Sequence, residues 1–156
     1  MLEGAPKQKD NIITRAIYVL DKRTSDDAPI TLTVFTRTDT FANGFDLIEV
    51  AQTKQISLGL TGGAKADCMM AANDAFVYAG TTADGGAVAI DKKSFALQSL
   101  GSYSLHAKLK SITADERGYV AIHFNEDYIA INPTGGIQAR GGGVYEMVGT
   151  RNAWKP

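Results

Sequence analysis

Apolar and polar residues take turns along Ile30-Thr31-Leu32-Thr33-Val34-Phe35-Thr36. A two-residue period is the mark of a strand with one buried face. The same texture, in shorter runs of Val, Ile, Tyr, Phe, Ala and Thr, recurs to the C-terminus. Gly, Asp and Asn clusters interrupt it, as expected of hairpin turns. No window of helical length carries a capped 3.6-residue stripe, so the chain is read as all-β. Twelve strands are predicted in three groups. The first group is 14–20, 30–37, 45–50 and 55–60. The second is 67–72, 75–81, 87–91 and 96–103. The third is 109–114, 119–124, 128–132 and 137–141. A further strand is expected over 144–149.

The groups imply a repeat. Val34, Val77 and Val120 stand 43 residues apart, each inside an apolar run. Ile48, Ile90 and Ile131 follow at spacings of 42 and 41. Gly59, Gly101 and Gly142 form a third series. Three markers on one period predict three four-stranded antiparallel meanders of about 42 residues. Their domain spans 12–149, between a flexible N-terminus at 1–11 and a C-terminal tail at 150–156. The first unit differs by a long charged connection, Asp21 to Pro29, expected to be a solvated loop.

Phe76-Val77-Tyr78-Ala79-Gly80-Thr81 followed by Ala87-Val88-Ala89-Ile90-Asp91, and Tyr119-Val120-Ala121-Ile122-His123-Phe124 followed by Tyr128-Ile129-Ala130-Ile131-Asn132, carry a resemblance. The unit resembles the blades of β-propellers, of the quinoprotein-like and WD-repeat-like kind. The resemblance implies propeller-like blades, and a single-ring propeller has 4 to 8 of them. Three blades imply completion by a second copy of the chain or by another protein. The alternative architecture is a β-trefoil, which also has three repeats of four strands and closes within one chain.

Composition adds exclusions. With 156 residues the chain is one domain by length, and its net charge of −1 lacks the basic excess of a nucleic-acid binder. No apolar run reaches the length of a membrane span or a signal-peptide core, so a soluble cytoplasmic protein is expected. The single cysteine, Cys68, lies in an apolar stretch and is read as a small buried residue. Two histidines, His106 and His123, are too few for a structural zinc centre, and His123 is read as a packed mid-strand residue. Arg140-Gly141-Gly142-Gly143 lacks the lysine and the following helix of a phosphate loop, so it is read as a strand-end bend. No cofactor is implied.

Ligands of propellers often bind where loops between second and third strands meet the inter-blade loops. Asp39, Asp84 and Asp127, with Glu126, fall in the former and would form an acidic rim. Lys65, His106 and Lys108 fall in the latter and would add a basic centre. Aspartate in a hairpin turn also serves turn chemistry alone, and calcium needs 6 to 8 oxygens. No nucleophile–base–acid grouping is recognisable. The expected function is a non-catalytic binding or scaffold module. The alternative is a carbohydrate or other small-ligand binder, lectin-like, or an enzyme with its site in the central funnel.

Overall fold

The computed structural model describes residues 1–21, 29–61, 67–82, 86–101, 108–125, 127–142, 146–148 and 152–155. The fold is all-β, with no helix among the described residues. The first sheet holds β1 (Leu2–Glu3), β2 (Lys7–Lys9), β3 (Ile12–Asp21), β4 (Pro29–Ala42) and β5 (Phe45–Thr61). Its order is β1-β3-β4-β5, with β2 also on β3. The second sheet is a meander of β6 (Cys68–Ala72), β7 (Phe76–Thr81), β8 (Gly86–Asp91) and β9 (Leu97–Gly101). The third is a meander of β10 (Leu109–Ala114), β11 (Val120–Phe124), β12 (Asp127–Ile131) and β13 (Ile137–Gly142). A last hairpin pairs β14 (Glu146–Val148) with β15 (Asn152–Lys155). The strand expected over 144–149 is thus a short one, and its partner comes from the segment expected as a tail.

The second and third sheets follow the predicted strands closely. The first does not. Its expected third and fourth strands are one strand, β5, running through the polar stretch 51–54. That stretch is a bulge rather than a turn. Val34 pairs with Lys54 while Phe35 pairs with Gln52, which leaves Thr53 as the extra residue. Thr53 Oγ1 donates to the Val34 carbonyl at 3.1 Å. The true turn is Asn43-Gly44, both at positive φ (53° and 78°), as a two-residue hairpin requires. Residues 1–11, expected to be flexible, supply β1 and β2 on the edge of β3.

The strand shift changes the reading of the period. Val77 and Val120 lie on the second strands of their sheets, β7 and β11, but Val34 lies on β4. Ile90 and Ile131 lie on third strands, whereas Ile48 lies on the last strand, β5. In the first unit the spacing of these two series is met by residues of non-equivalent strands. Gly59, Gly101 and Gly142 all fall in the last strand of a sheet.

Packing follows the alternation. Val77, Ala79, Val88 and Ile90 face the first sheet and join a core with Leu32, Val34, Ile56 and Leu58. Their neighbours Tyr78, Ala87 and Ala89 face the third sheet and join a core with Leu109, Ile122 and Ile129. The central strands of the second sheet, β7 and β8, are therefore buried on both faces, which explains why they read as continuous apolar runs. Cys68 packs, partly buried, against the first of these cores. Gly80 sits where a Cβ would fall 2.5 Å from Leu109 Cδ2, so any larger residue would displace the Leu109 side chain packed between β7 and β10.

Side-chain acceptors close the turns at one end of the stack. Asn73 Oδ1 accepts from the amides of Ala75 (3.0 Å) and Phe76 (2.9 Å). In the third sheet Asp115 Oδ1 accepts from Arg117 and Tyr119, both at 2.9 Å. Between third and fourth strands Asp91 serves Lys93 and Ser94, and Asn132 serves Thr134 and Gly136. The amide of Asn73 also reaches across the sheets, donating from Nδ2 to the Gly118 carbonyl at 3.1 Å. Asn73 is buried, so its removal orphans these groups. Asn73→Ala is expected to cost about 2 kcal/mol of stability, measured as a lower urea midpoint at unchanged m-value.

Candidate functional site

The turn end of the stack carries the concave surface. The first sheet is longer than the second, and its strands continue past the β8–β9 turn. Where they emerge, Thr14, Ala16 and Tyr18 of β3, Thr36 of β4 and the Gly4-Ala5 link face Asp74 and Lys92 across an open depression of about 370 Å³. The link is held by the Gly4 amide donating to the Ala16 carbonyl at 2.7 Å. A second depression of about 220 Å³ shares Gly4, Ala5, Asp74 and Lys92 and continues over Asn73 and Gly118.

Lys92 is the central charge. Its backbone amide donates to the Ala75 carbonyl at 2.9 Å, which fixes the turn under it. Its Nζ lies 5.4 Å from the centre of the Tyr18 ring, in cation–π range. Burial lowers the Lys92 pKa below the ordinary lysine value, and the nearby Asp74 carboxylate opposes that shift. Burial raises the Tyr18 pKa. Lys7 and Lys93 also line the larger depression. A partly desolvated ammonium flanked by two more lysines suits an anion. Tyr18 is only 6% exposed, so its ring offers no face for sugar stacking.

The residues singled out from the sequence fall elsewhere. Asp84, Lys65, His106 and Glu126 lie outside the described residues. Asp39 sits on β4, not in a loop, and is buried. It accepts from Arg37 Nε at 2.9 Å, and this pairing raises the Arg37 pKa. Asp127 opens β12 and pairs in register with Gly142. The opposite end of β12 leads to Pro133, which borders the smaller depression with Asn73 and Lys92. Asp39 lies on the part of β4 leading to the Asn43-Gly44 turn, at that same turn end. Asp39 and Asp127 are therefore at opposite ends of the stack, and the structure does not bring them together. The Lys108 amide donates to Asn125 Oδ1 at 2.7 Å and its carbonyl accepts from the Asn125 amide at 3.0 Å, which closes the end of the β10–β11 pair. Lys92 was legible only as part of the turn Asp91-Lys92-Lys93-Ser94. Its importance comes from the long first sheet passing over it.

His123 faces away from the second sheet, with Nδ1 3.3 Å from Ser111 Oγ. Its Nε2 is buried and lacks a hydrogen-bond partner among the described residues. No carboxylate is seen to orient the ring, and neither depression borders it. No cluster of three or more metal-ligating side chains occurs among the described residues, and none of these residues forms a helix able to cross a membrane. No family model, curated protein or solved structure matches the chain.

The histidine makes a pH prediction. Burial lowers the His123 pKa below its ordinary value of 6.5. Unfolding then takes up a proton at acid pH, so His123 favours the native state fully above pH 6.5 and progressively less as pH falls toward its folded pKa. The melting temperature is expected to drop between neutral and mildly acid pH. His123→Asn is expected to shrink that drop. An identical pH profile for the variant would remove His123 as the cause.

Proposed function

We propose that the chain is a non-catalytic binding module of three propeller-like blades, completed by further polypeptide, most simply a second copy of itself. Several features support the blade reading. Each sheet is an antiparallel meander if β1 and β2 are taken together as the first strand of the first sheet. The first strands are neighbours: β1 packs on β6, and β6 on β10. Separate sheets packed face to face favour blades over the trefoil.

One observation carries the assembly reading. The outer strand β5 ends the first sheet and exposes Phe45 (79%), Leu47 (58%), Ile48 (51%) and Val50 (58%). An unpaired edge with apolar side chains on both faces is a template for another chain. The expected result in light scattering at micromolar concentration is a mass that is a multiple of 16.6 kDa. A strict monomer over the whole accessible range overturns completion by self-association.

A second reading rests on Lys92. A small anion held in the larger depression would make the chain a ligand-binding protein. Titration calorimetry with inorganic phosphate and with short carboxylates tests it. Binding lost in Lys92→Gln supports it, and no heat from either probe sinks it.

A further inference from the structure

The exposed part of β5 contains three charged residues, Asp46, Glu49 and Lys54. Their faces are fixed by the pairing with β4. Glu49 lies opposite Thr38, Ala51 opposite Thr36 and Lys54 opposite Val34. Thr38, Thr36 and Val34 alternate along one face, and Val34 belongs to the core shared with the second sheet. Glu49, Ala51 and Lys54 therefore share that face. Five residues separate Glu49 from Lys54, and an unbroken strand would put them on opposite faces. The extra residue, Thr53, brings them to the same side. Asp46 lies opposite Phe41, on the other face.

An antiparallel pair of identical strands related by a two-fold axis is centred on one residue, because directly opposed side chains share a face. Each choice of centre decides which charges meet. We propose that two copies of the chain associate through β5, antiparallel and centred on Ala51, so that the two first sheets merge into one. At this centre Glu49 lies beside the partner's Lys54 and Lys54 beside the partner's Glu49, on one face. Centring on Val50 would align Asp46 with the partner's Lys54 by residue count, but those side chains lie on opposite faces. The Ala51 centre alone sets opposite charges of β5 side by side. It also places Asp46 against the partner's Ser57, where no charges repel.

The apolar surface agrees with this register. Leu47 falls beside the partner's Ile56, on the face that packs on the second sheet. That face has room for it. Leu97 pairs with Ile90 in register, so it points toward the first sheet, yet it is 44% exposed. β5 packs over β7 and β8 and leaves the outer strand β9 to be covered. A strand added beside β5 lies over β9 and covers Leu97. The proposal rests on the assembly reading above but names the edge and register.

The test is self-association of the full chain, read by sedimentation equilibrium, with charge reversal on both sides. Glu49 and Lys54 are exposed, but Lys54 Nζ also lies 6.0 Å from the centre of the Phe95 ring, a contact within the chain that Lys54→Glu gives up. Glu49→Lys and Lys54→Glu each replace two attractive contacts per dimer with two repulsive ones. Each is expected to weaken association roughly tenfold at low salt, with an unchanged melting temperature for Glu49→Lys. The double variant Glu49→Lys/Lys54→Glu is expected to restore it. Directly opposed residues in antiparallel strands have Cα atoms about 4.5–5.5 Å apart, within disulfide range. In a Cys68→Ser background, Ala51→Cys is therefore expected to form a covalent dimer on mild oxidation, and Asp46→Cys is not. A dimer that ignores both reversals and gives no crosslink through Ala51→Cys overturns this register and leaves the assembly reading standing. A wild-type chain that stays monomeric overturns both.

Discussion

The central strands of the second sheet, β7 and β8, have no polar face turned to solvent, and the arrangement of the rest follows from that. In β7, Val77 and Ala79 point to one core while Tyr78 points to the other. Alternate residues of a strand must leave on opposite sides, so the buried strand Phe76–Thr81 needs two covers rather than one. The first and third sheets are those covers. The first sheet needs only one apolar face toward the second, which is why Ile30-Thr31-Leu32-Thr33-Val34 alternates while β7 and β8 do not; β12 of the third sheet is buried along its whole length. Glycine at position 80 and alanines at 79, 87 and 89 keep the layers close. The polar turn residues Asn73 and Asp115 then sit together at one end, tied by the hydrogen bond from Asn73 to the Gly118 carbonyl.

The covers are unequal in length. β4 has 14 residues and β5 has 17, against six in β7 and six in β8. A layer that outruns its partner has a supported part and an unsupported part. On the supported part, Ile56 and Leu58 are buried. On the unsupported part, Phe45 and Leu47 occupy the same face and are exposed. The overhang also creates the depression, because β3 and β4 pass over the β8–β9 turn and fold Lys92 against Tyr18. Both candidate surfaces of this molecule, the anionic-ligand depression and the bare edge, thus arise from one mismatch in strand length.

The second and third sheets were legible in the sequence because every strand there is short and every break is marked. Asn73-Asp74, the turn after Asp91 and Asn132-Pro133-Thr134-Gly135-Gly136 are turns by composition and by structure. The first sheet misled for the opposite reason. Gln52-Thr53-Lys54 is polar and breaks the alternation, which in a one-dimensional reading is the same as a turn. Only the ladder distinguishes one extra residue from a reversal. β1 and β2 were missed because 1–11 is polar and a strand of two or three residues has no period to detect. Lys92 was hidden for a different reason. A lysine in a turn is ordinary until another layer is laid across it, and the length of that layer was itself misread. Asp39 and Asp127 fall at opposite ends because β4 is the third strand of its sheet, so the turn that follows it lies at the end remote from the β11–β12 turn.

The bulge at Thr53 has a role larger than one residue. Edge strands are commonly protected by charge, since a lone lysine or glutamate facing an incoming strand is costly to pair or bury. On a regular β5, Glu49 and Lys54 would guard opposite faces and each would repel its own copy or stand alone. With the bulge they stand on one face, either side of Ala51, where a two-fold axis exchanges them. The same two charges that would discourage pairing in most registers favour it in one. Protection and recognition are then not alternatives on this edge. In the proposed dimer the charges disfavour shifted registers, the apolar residues Leu47 and Ile48 supply the burial, and the extra threonine sets which register pairs Glu49 with Lys54.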